Sequence, residues 1–400
     1  MKIMLIGMGG GDCSSLTLDA ALNLKRADRI IGARRLLESI PEQYGAERVD
    51  EIYAKKIVEV IKAEPEKKTA VVYSGDTGFY SGAMSIVPLL EEEGIPYEIV
   101  PGISSVQLMS ARLGRSWENW NLVSAHGREI DPVREVMRGK ETFFLTGGAL
   151  TPDVICQRLV DAGLGDLNVV AGENLSYDDE QVLRGTAAEF AKKTFRPLTA
   201  MVVEPAPKSR FFCAWISDRD FIRGDVPMTK EDVRSAILGK LKLRSDETVW
   251  DVGAGTGSVS VEMALSAREG KVYSIEVNPE AVDLIHANRR KFGAWNIVPV
   301  PGSAPEAFED LPAPDAVFIG GTKGNMKEVV RGILAKNPNA RIVASAIVTE
   351  TLSEAIDEMQ ARGLCVDVTQ ISSAGSRRIG NKHMMTANNP IFLIEGESHV

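Results

Sequence analysis

The stretch Thr248-Val-Trp-Asp-Val-Gly-Ala-Gly-Thr-Gly-Ser258 decides the fold of the second half of this chain. Val249 to Val252 reads as a buried strand that delivers one acid, Asp251, and three alternate glycines, Gly253, Gly255 and Gly257, into a tight turn. A helix is expected from about Ser258 to Ser266. Strand, glycine loop and helix together let backbone come close to a ligand. A dinucleotide loop needs G-x-G-x-x-G around a pyrophosphate. Here Val259 and Ser260 occupy the places where a third glycine would be sought, so that reading is set aside.

A second carboxylate lies 25 residues after Asp251. Val272-Tyr-Ser-Ile-Glu276 is another apolar strand, and an acid at the end of a second strand can accept hydrogen bonds from both hydroxyls of a ribose. Alone, Glu276 would be a neighbour of the N-cap of a helix over Pro279–Arg290. Behind Asp251-x-Gly253-x-Gly255-x-Gly257, ribose binding is the expectation. The pattern D-x-G-x-G-x-G resembles motif I of the class I, Rossmann-like methyltransferases that use S-adenosylmethionine (SAM). In that family the loop passes the amino-acid part of the cofactor, which has no phosphate to cradle.

The 400 residues allow two or three domains with sizeable cores. Apolar residues make up 44% and charged residues 25%, the composition of an ordinary soluble globular protein. A net charge of −9 argues against a general nucleic-acid binder, which needs a basic face for phosphates. Cys13, Cys156, Cys213 and Cys365 stand singly, without a C-x-x-C pair or a neighbouring histidine. That implies a reducing cytoplasm and no metal site. The apolar N-terminal run is too short for the core of a signal peptide, and no window reaches the length of a membrane-spanning helix. The expected location is cytoplasmic, with no membrane partner.

A break is expected between about Glu204 and Met228, where prolines and glycine interrupt any periodicity. This gives a first domain over 1–204, a linker over 205–228 and a second domain over 229–400. Thr229-Lys-Glu-Asp-Val-Arg234 reads as an N-capped helix start with Thr229 as the cap. The first domain also alternates strands and helices. Ile3–Ile6 runs into Gly7-Met-Gly9-Gly-Gly11-Asp12, Ala70–Ser74 into Gly75-Asp76-Thr-Gly78, and Tyr97–Val100 into Pro101-Gly102-Ile-Ser104-Ser105. Apolar strands ending in small residues before helices make an α/β sheet, whose ligands sit beyond the carboxyl ends of the strands. Asp12 stands where a dinucleotide motif needs glycine and would repel a pyrophosphate, so no NAD site is expected.

Several segments of the first domain together resemble the tetrapyrrole (corrin/porphyrin) methylases: Gly7-x-Gly9-x-Gly11-Asp12, Ser74-Gly75-Asp76-x-Gly78-Phe-Tyr, Val100-Pro-Gly-Ile-Ser-Ser and Ala171-Gly-Glu173-Asn174-Leu-Ser-Tyr. That family has a two-lobed α/β fold with a SAM cleft unrelated to the class I fold. Gly10 departs from its usual proline, which bears on the stiffness of the loop. The segment from Gly172 to Glu180, with Leu183-Arg-Gly-Thr186, resembles the subgroup that methylates C5 of a cobalamin precursor. In the second domain, Met228-Thr-Lys230-Glu-Asp-Val-Arg234, the glycine loop, Val317-Phe-Ile-Gly320-Gly321 and Arg341 through Glu350 resemble the decarboxylating precorrin C15-methyltransferases. Ser303, in Gly302-x-Ala304-Pro-Glu, replaces an acid common there, although a hydroxyl can serve the same adenine-side bond. The two halves in this order are similar to the fused C5,15-methyltransferases (decarboxylating) of cobalamin biosynthesis.

The resemblance implies two SAM sites and a precorrin substrate, metal-free or cobalt-bearing. It implies that Gly75, Asp76, Ser104 and Ser105 line the first cleft, Asp76 being equally readable as a turn-stabilising residue. In the second domain Asp251, Gly253, Gly255, Gly257, Glu276 and Ser303 are the SAM residues, Asp251 orienting the loop or receiving the methionyl ammonium. A methyl transfer needs positioning and exclusion of water more than a protein nucleophile. The C15 step of the family also releases CO2 from the ring C acetate. The substrate's acetates and propionates call for basic residues. Candidates are Lys323 past a strand end, and Arg377 and Arg378 in Ser376-Arg-Arg-Ile-Gly-Asn-Lys382-His383, readable also as a solvated loop. His126 is a candidate proton shuttle or carboxylate ligand, or a packed histidine; His286, mid-helix, reads as structural. Both resembling families assemble, which implies a homo-oligomer. Two other readings compete. An RNA or protein methyltransferase is disfavoured by the acidity and by Phe318-Ile-Gly-Gly-Thr at the fourth strand, and a non-catalytic SAM-binding module by intact loops in both halves.

Overall fold

Short β-branched and apolar runs, each ending in glycine or a small polar residue and followed by a helix, form parallel strands buried on both faces. The computed structural model describes residues 2–11, 15–209, 215–322 and 324–398. Two compact units emerge: Met1–Val160 with Gly165–Pro205, and Ala206–Val400 with Asp161–Leu164.

The first unit holds two five-stranded sheets. One is wholly parallel, in the order β3 (Glu47–Asp50), β2 (Arg29–Gly32), β4 (Thr69–Tyr73), β1 (Ile3–Gly7), β5 (Tyr97–Val100). Alternate residues feed different cores: Ile6, Ile30 and Val72 pack on one face, Leu5, Ile31 and Val71 on the other. The second sheet runs β6 (Asn121–Ser124), β7 (Thr142–Leu145), β10 (Thr199–Val203), β8 (Asn168–Glu173), β9 (Gln181–Thr186), with only β6 and β7 parallel. Phe143, Val170 and Val202 bury its inner face.

The second unit is a seven-stranded sheet in the order β13 (Ile297–Pro301), β12 (Lys271–Glu276), β11 (Thr248–Val252), β14 (Ala316–Ile319), β15 (Arg341–Ala346), β19 (Ile391–Ser398), β16 (Leu364–Ile371). Only β19 runs against its neighbours. The strand order reverses at β11, between β12 and β14, so the loop after β11 lies where such sheets open a crevice. Val249 faces one core and Trp250 the other. The helix after the glycine loop, Ser258–Ser266, is buried from Ser258 to Leu265, because it is covered on all sides. A separate hairpin, β17 (Ala374–Ile379) and β18 (Lys382–Ala387), is exposed along its length.

Two local expectations shift. The helix expected to start at Thr229 spans Glu231–Leu241 with Lys230 at the N-cap and no side-chain cap. The basic stretch around Arg377 and Arg378 is a hairpin rather than a loop: those two residues pair with Met384 and His383 across it.

Candidate active sites

In the first unit the ends of β1, β4 and β5 converge through glycines that admit no side chain. A Cβ on Gly7 would lie 2.6 Å from Gly102 N and 2.7 Å from Gly75 O. Asp76 ties this junction together: one carboxylate oxygen accepts from Gly78 N at 2.9 Å, the other from Gly102 N at 3.3 Å. Its turn-stabilising role is therefore present in the geometry. Ser104 is buried, and Gln107 Oε1 accepts from its N–H at 2.8 Å, fixing the start of the helix Ser105–Leu113.

These residues border a cleft of about 360 Å³ between the two sheets, which Gly75, Asp76, Ser104, Ser105 and the exposed His126 all line. Tyr73 borders it as well, and its buried hydroxyl has no partner among the described residues. Burial raises the pKa of that phenol, so it stands as a neutral donor. Gly10, the departure from proline, is explained by its neighbour: a Cβ there would sit 1.7 Å from Ser176 Oγ. Asp12 lies outside the described residues.

In the second unit, parallel register places Ser274 of β12 beside Asp251 of β11. Ser260, one turn into the following helix, donates to Asp251 Oδ2 at 2.5 Å and accepts from Ser274 Oγ at 2.7 Å. This buried chain pins the helix to two strands. Asp251 Oδ1 has no partner among the described residues. Burial, opposed in part by the Ser260 bond, pushes its carboxyl up to about 7. The glycines above it have φ of +75°, +55° and +74°, and a Cβ on Gly253 would lie 2.6 Å from Gly321 O. Only glycine meets both demands at position 253.

Glu276 organises the same loop from β12. Its Oε2 accepts from Gly255 N at 2.8 Å, and its Oε1 from Val277 N at 2.8 Å and Asn278 N at 2.9 Å. A carboxylate has about four lone-pair sites. Three donors therefore leave room for one further hydroxyl, where the sequence reading expected both ribose hydroxyls. Ser303 is exposed just past β13, next to Gly302, whose N–H donates to Glu276 O at 3.0 Å.

Arg377 and Arg378 lie on the exposed hairpin, which leaves the sheet beside β16 and β19, several strands from the glycine loop. Lys323 lies outside the described residues. The sequence reading also passed over features at this edge. Val277, just past β12, and Ile347 and Val348, just past β15, are apolar yet 47%, 61% and 53% exposed, at the same end of the sheet with β11 and β14 between them. Arg234, fully buried, donates to Glu262 at 3.0 Å and Asp218 at 2.8 Å, and Asn288 bonds both Ile222 and Thr256. The exposed pair Ile347-Val348 was readable, since it follows a strand end without a helical or alternating pattern. Arg234 and Asn288 carried no such signal.

Family models match both units: tetrapyrrole (corrin/porphyrin) methylases over residues 2–191 and a precorrin methyltransferase domain over residues 220–396. The precorrin-6Y C(5,15)-methyltransferase [decarboxylating] of a Sinorhizobium species is 30% identical, across 86% of this chain and 87% of that one. The chain belongs to the decarboxylating precorrin C5,15-methyltransferase family. Methyltransferases of this family use SAM. The cobalt-precorrin-6B C(15)-methyltransferase (decarboxylating) of Salmonella typhimurium is 38% identical over 46% of this chain and 98% of its own length. A crystal structure of precorrin-6y C5,15-methyltransferase from Geobacter metallireducens is 33% identical, covering 47% of this chain and 97% of that one, with a TM-score of 0.45. Among the described residues of this family member, no helix is long and apolar enough to cross a membrane.

Proposed function

We propose that this chain methylates a precorrin at C5 in the cleft of its first unit and at C15 on its second, with loss of CO2 from the ring C acetate. The observation that carries the reading is the presence of two glycine-built sites of unrelated construction in one chain, in a family whose Sinorhizobium member is named for both positions. SAM, when bound, supplies an electrophilic methyl group carried on a sulfonium.

The second unit fits that group: the buried Asp251 has an oxygen without a partner among the described residues, beside a loop of three glycines at positive φ. Asp251 Oδ1 takes the ammonium of the methionyl part, and the free acceptor site on Glu276 takes one ribose hydroxyl. Val277, Ile347 and Val348 are exposed apolar side chains at the carboxyl end of the sheet, open to the flat face of the macrocycle. In the first unit, Gly75, Asp76, Ser104 and Ser105 line the donor's side of the cleft. His126, exposed at its edge, is positioned to receive the proton released at C5.

The test is mass spectrometry of the tetrapyrrole after incubation with SAM and precorrin-6B, metal-free or cobalt-loaded. Gain of two methyl groups with loss of one CO2 is expected, and the preferred form names the natural substrate. No change in mass with either form, despite SAM binding, would overturn the reading.

A further inference from the structure

Arg34 and Arg35 open the short helix after β2, Arg34–Ser39, and only the first has an acid to pair with. Arg34 Nε donates to Glu38 at 2.8 Å one turn on, whereas the residue one turn on from Arg35 is Ser39. Arg35 reaches instead into the cleft of the first unit. There its Nη1 donates to the hydroxyl of Tyr177 and its Nη2 to Ser74 Oγ at 3.3 Å. Both acceptors are neutral, and among the described residues no carboxylate pairs with Arg35. Four other arginines of the same unit have an acid each, Arg29 with Glu64, Arg112 with Glu180, Arg115 with Glu141 and Arg196 with Asp179, whereas Arg48 and Arg158 bond backbone carbonyls.

The brace is built at some cost to the backbone. Tyr177 ends a turn in which Asn174 and Ser176 both take left-handed conformations, with φ of +46° and +76°. Asparagine tolerates that region, but serine disfavours it, so the cost falls on Ser176. Gly11 makes room beside it, since a Cβ there would lie 2.2 Å from Tyr177 Oη and 2.8 Å from Arg35 Nη1. Guanidinium has five donors and keeps its charge at any physiological pH. Two donors hold Arg35 in place, and among the described residues no carboxylate, Asp76 of the same cleft included, takes any of the others.

We propose that Arg35 is the receptor for one acetate or propionate carboxylate at the rim of the macrocycle, and so sets which meso carbon faces the methyl donor. Tyr177 and Ser74 are its positioning residues. The inference rests on reading this cleft as the C5 site.

The experiment uses the full chain and its Arg35→Gln, Arg35→Lys and Tyr177→Phe variants, with precorrin-6B as probe. C5 methylation is followed by mass spectrometry, and equilibrium binding of the tetrapyrrole by its absorbance with S-adenosylhomocysteine in place of SAM. Arg35→Gln is expected to raise KM and the dissociation constant about 10- to 100-fold while kcat changes by less than about threefold. Arg35→Lys keeps the charge but not the planar fork and falls between the two; Tyr177→Phe raises KM by about threefold to tenfold. Unchanged stoichiometry of SAM binding in Arg35→Gln reports an intact cleft. A wild-type KM in Arg35→Gln, or loss of SAM binding in that variant, would overturn the inference while leaving C5 methylation standing. Absence of C5 methylation by the unsubstituted protein would instead remove the functional reading on which it rests.

Discussion

Asp251→Asn should stabilise the second unit at pH 8 and weaken its hold on SAM, two effects of opposite sign from one buried oxygen. The carboxyl of Asp251 is fully enclosed and titrates at about 7, against 3.8 for the free side chain. Between those values the folded protein holds a proton that the unfolded chain has lost. Stability therefore falls as pH rises through that window, by about 1.4 kcal/mol per unit, and levels off above 7. The total cost of carrying the ionised carboxylate is about 4 kcal/mol at pH 8 and under about 2 kcal/mol at pH 5.

Asparagine keeps the shape and the acceptor for Ser260 Oγ but leaves an amide N–H without a partner, at a cost of about 1–3 kcal/mol. The variant should thus gain about 1–3 kcal/mol at pH 8 and close to nothing at pH 5. Urea titrations of the full chain at both pH values, read by hydrogen exchange of peptides covering β11, isolate this unit from the rest. The difference between variant and parent should grow by about 2.5 kcal/mol from pH 5 to pH 8. A difference that stays constant with pH would refute the reasoning, since it would mean that the native carboxyl is ionised throughout. SAM affinity at this site should meanwhile fall at least about tenfold in the variant at pH 8, through loss of the ammonium's partner.

Gly253→Ala forces an L side chain to φ +75° and drives its Cβ against the backbone of Gly321. A loss of at least about 2 kcal/mol in urea stability and of measurable SAM binding to the second unit is expected; Gly321→Ala, with nothing within 4 Å of the added Cβ, should stay within about 0.5 kcal/mol of the parent. Asn288→Ala removes the side chain that bonds Ile222 N, Ile222 O and Thr256 O at 2.8, 3.0 and 2.9 Å. Hydrogen exchange should rise in peptides 222–228 and 253–257 and KM for SAM should increase several-fold, whereas exchange unchanged in the first peptide would contradict the link. Of the 2′-deoxy and 3′-deoxy analogues of S-adenosylhomocysteine, one should inhibit C15 methylation like the parent compound and the other about tenfold less. Equal losses would show that Glu276 accepts both hydroxyls.

The glycine loop after β11 was legible because its constraints are local. Positive φ at Gly253 and the strand before it are written in eleven consecutive residues, Thr248 to Ser258. The place of Glu276 at a strand end was legible for the same reason, but its three backbone donors were not, since they depend on how the chain turns after β12. The charge of Arg35 was visible and its role was not. Only the missing acid one turn away, with Ser39 in place of a partner like Glu38, marked it in the sequence. Its meeting with Tyr177 spans 142 residues, a separation at which no periodicity speaks. For the Arg377–Arg378 stretch the charge was visible and the hairpin that carries it was not, since its pairing depends on residues five to seven places further on.

The segment before Met228 shows most sharply where sequence and structure part. Prolines, a glycine and no periodicity mark residues 205–228 as a connection. Yet Ile216, Phe221, Val226 and Met228 are buried in the second unit. Arg234 holds the carbonyls of Ile216 and Thr229 and the carboxylate of Asp218, with its guanidinium 4.7 Å from the ring of Phe221. A buried cation satisfied this fully is expensive to assemble and tolerates no partial version, because each lost partner leaves charge stranded in a medium that does not solvate it. Pro227 O lies 3.1 Å from where a Cβ on Gly255 would sit, so the same segment is in contact with the glycine loop. Asn288 then joins Ile222 to Thr256, inside that loop. The chain from Ile216 onward is thus part of the second unit's scaffold, and it supports motif I at Gly255 and Thr256, while Glu276 and Gly321 meet the loop from other strands.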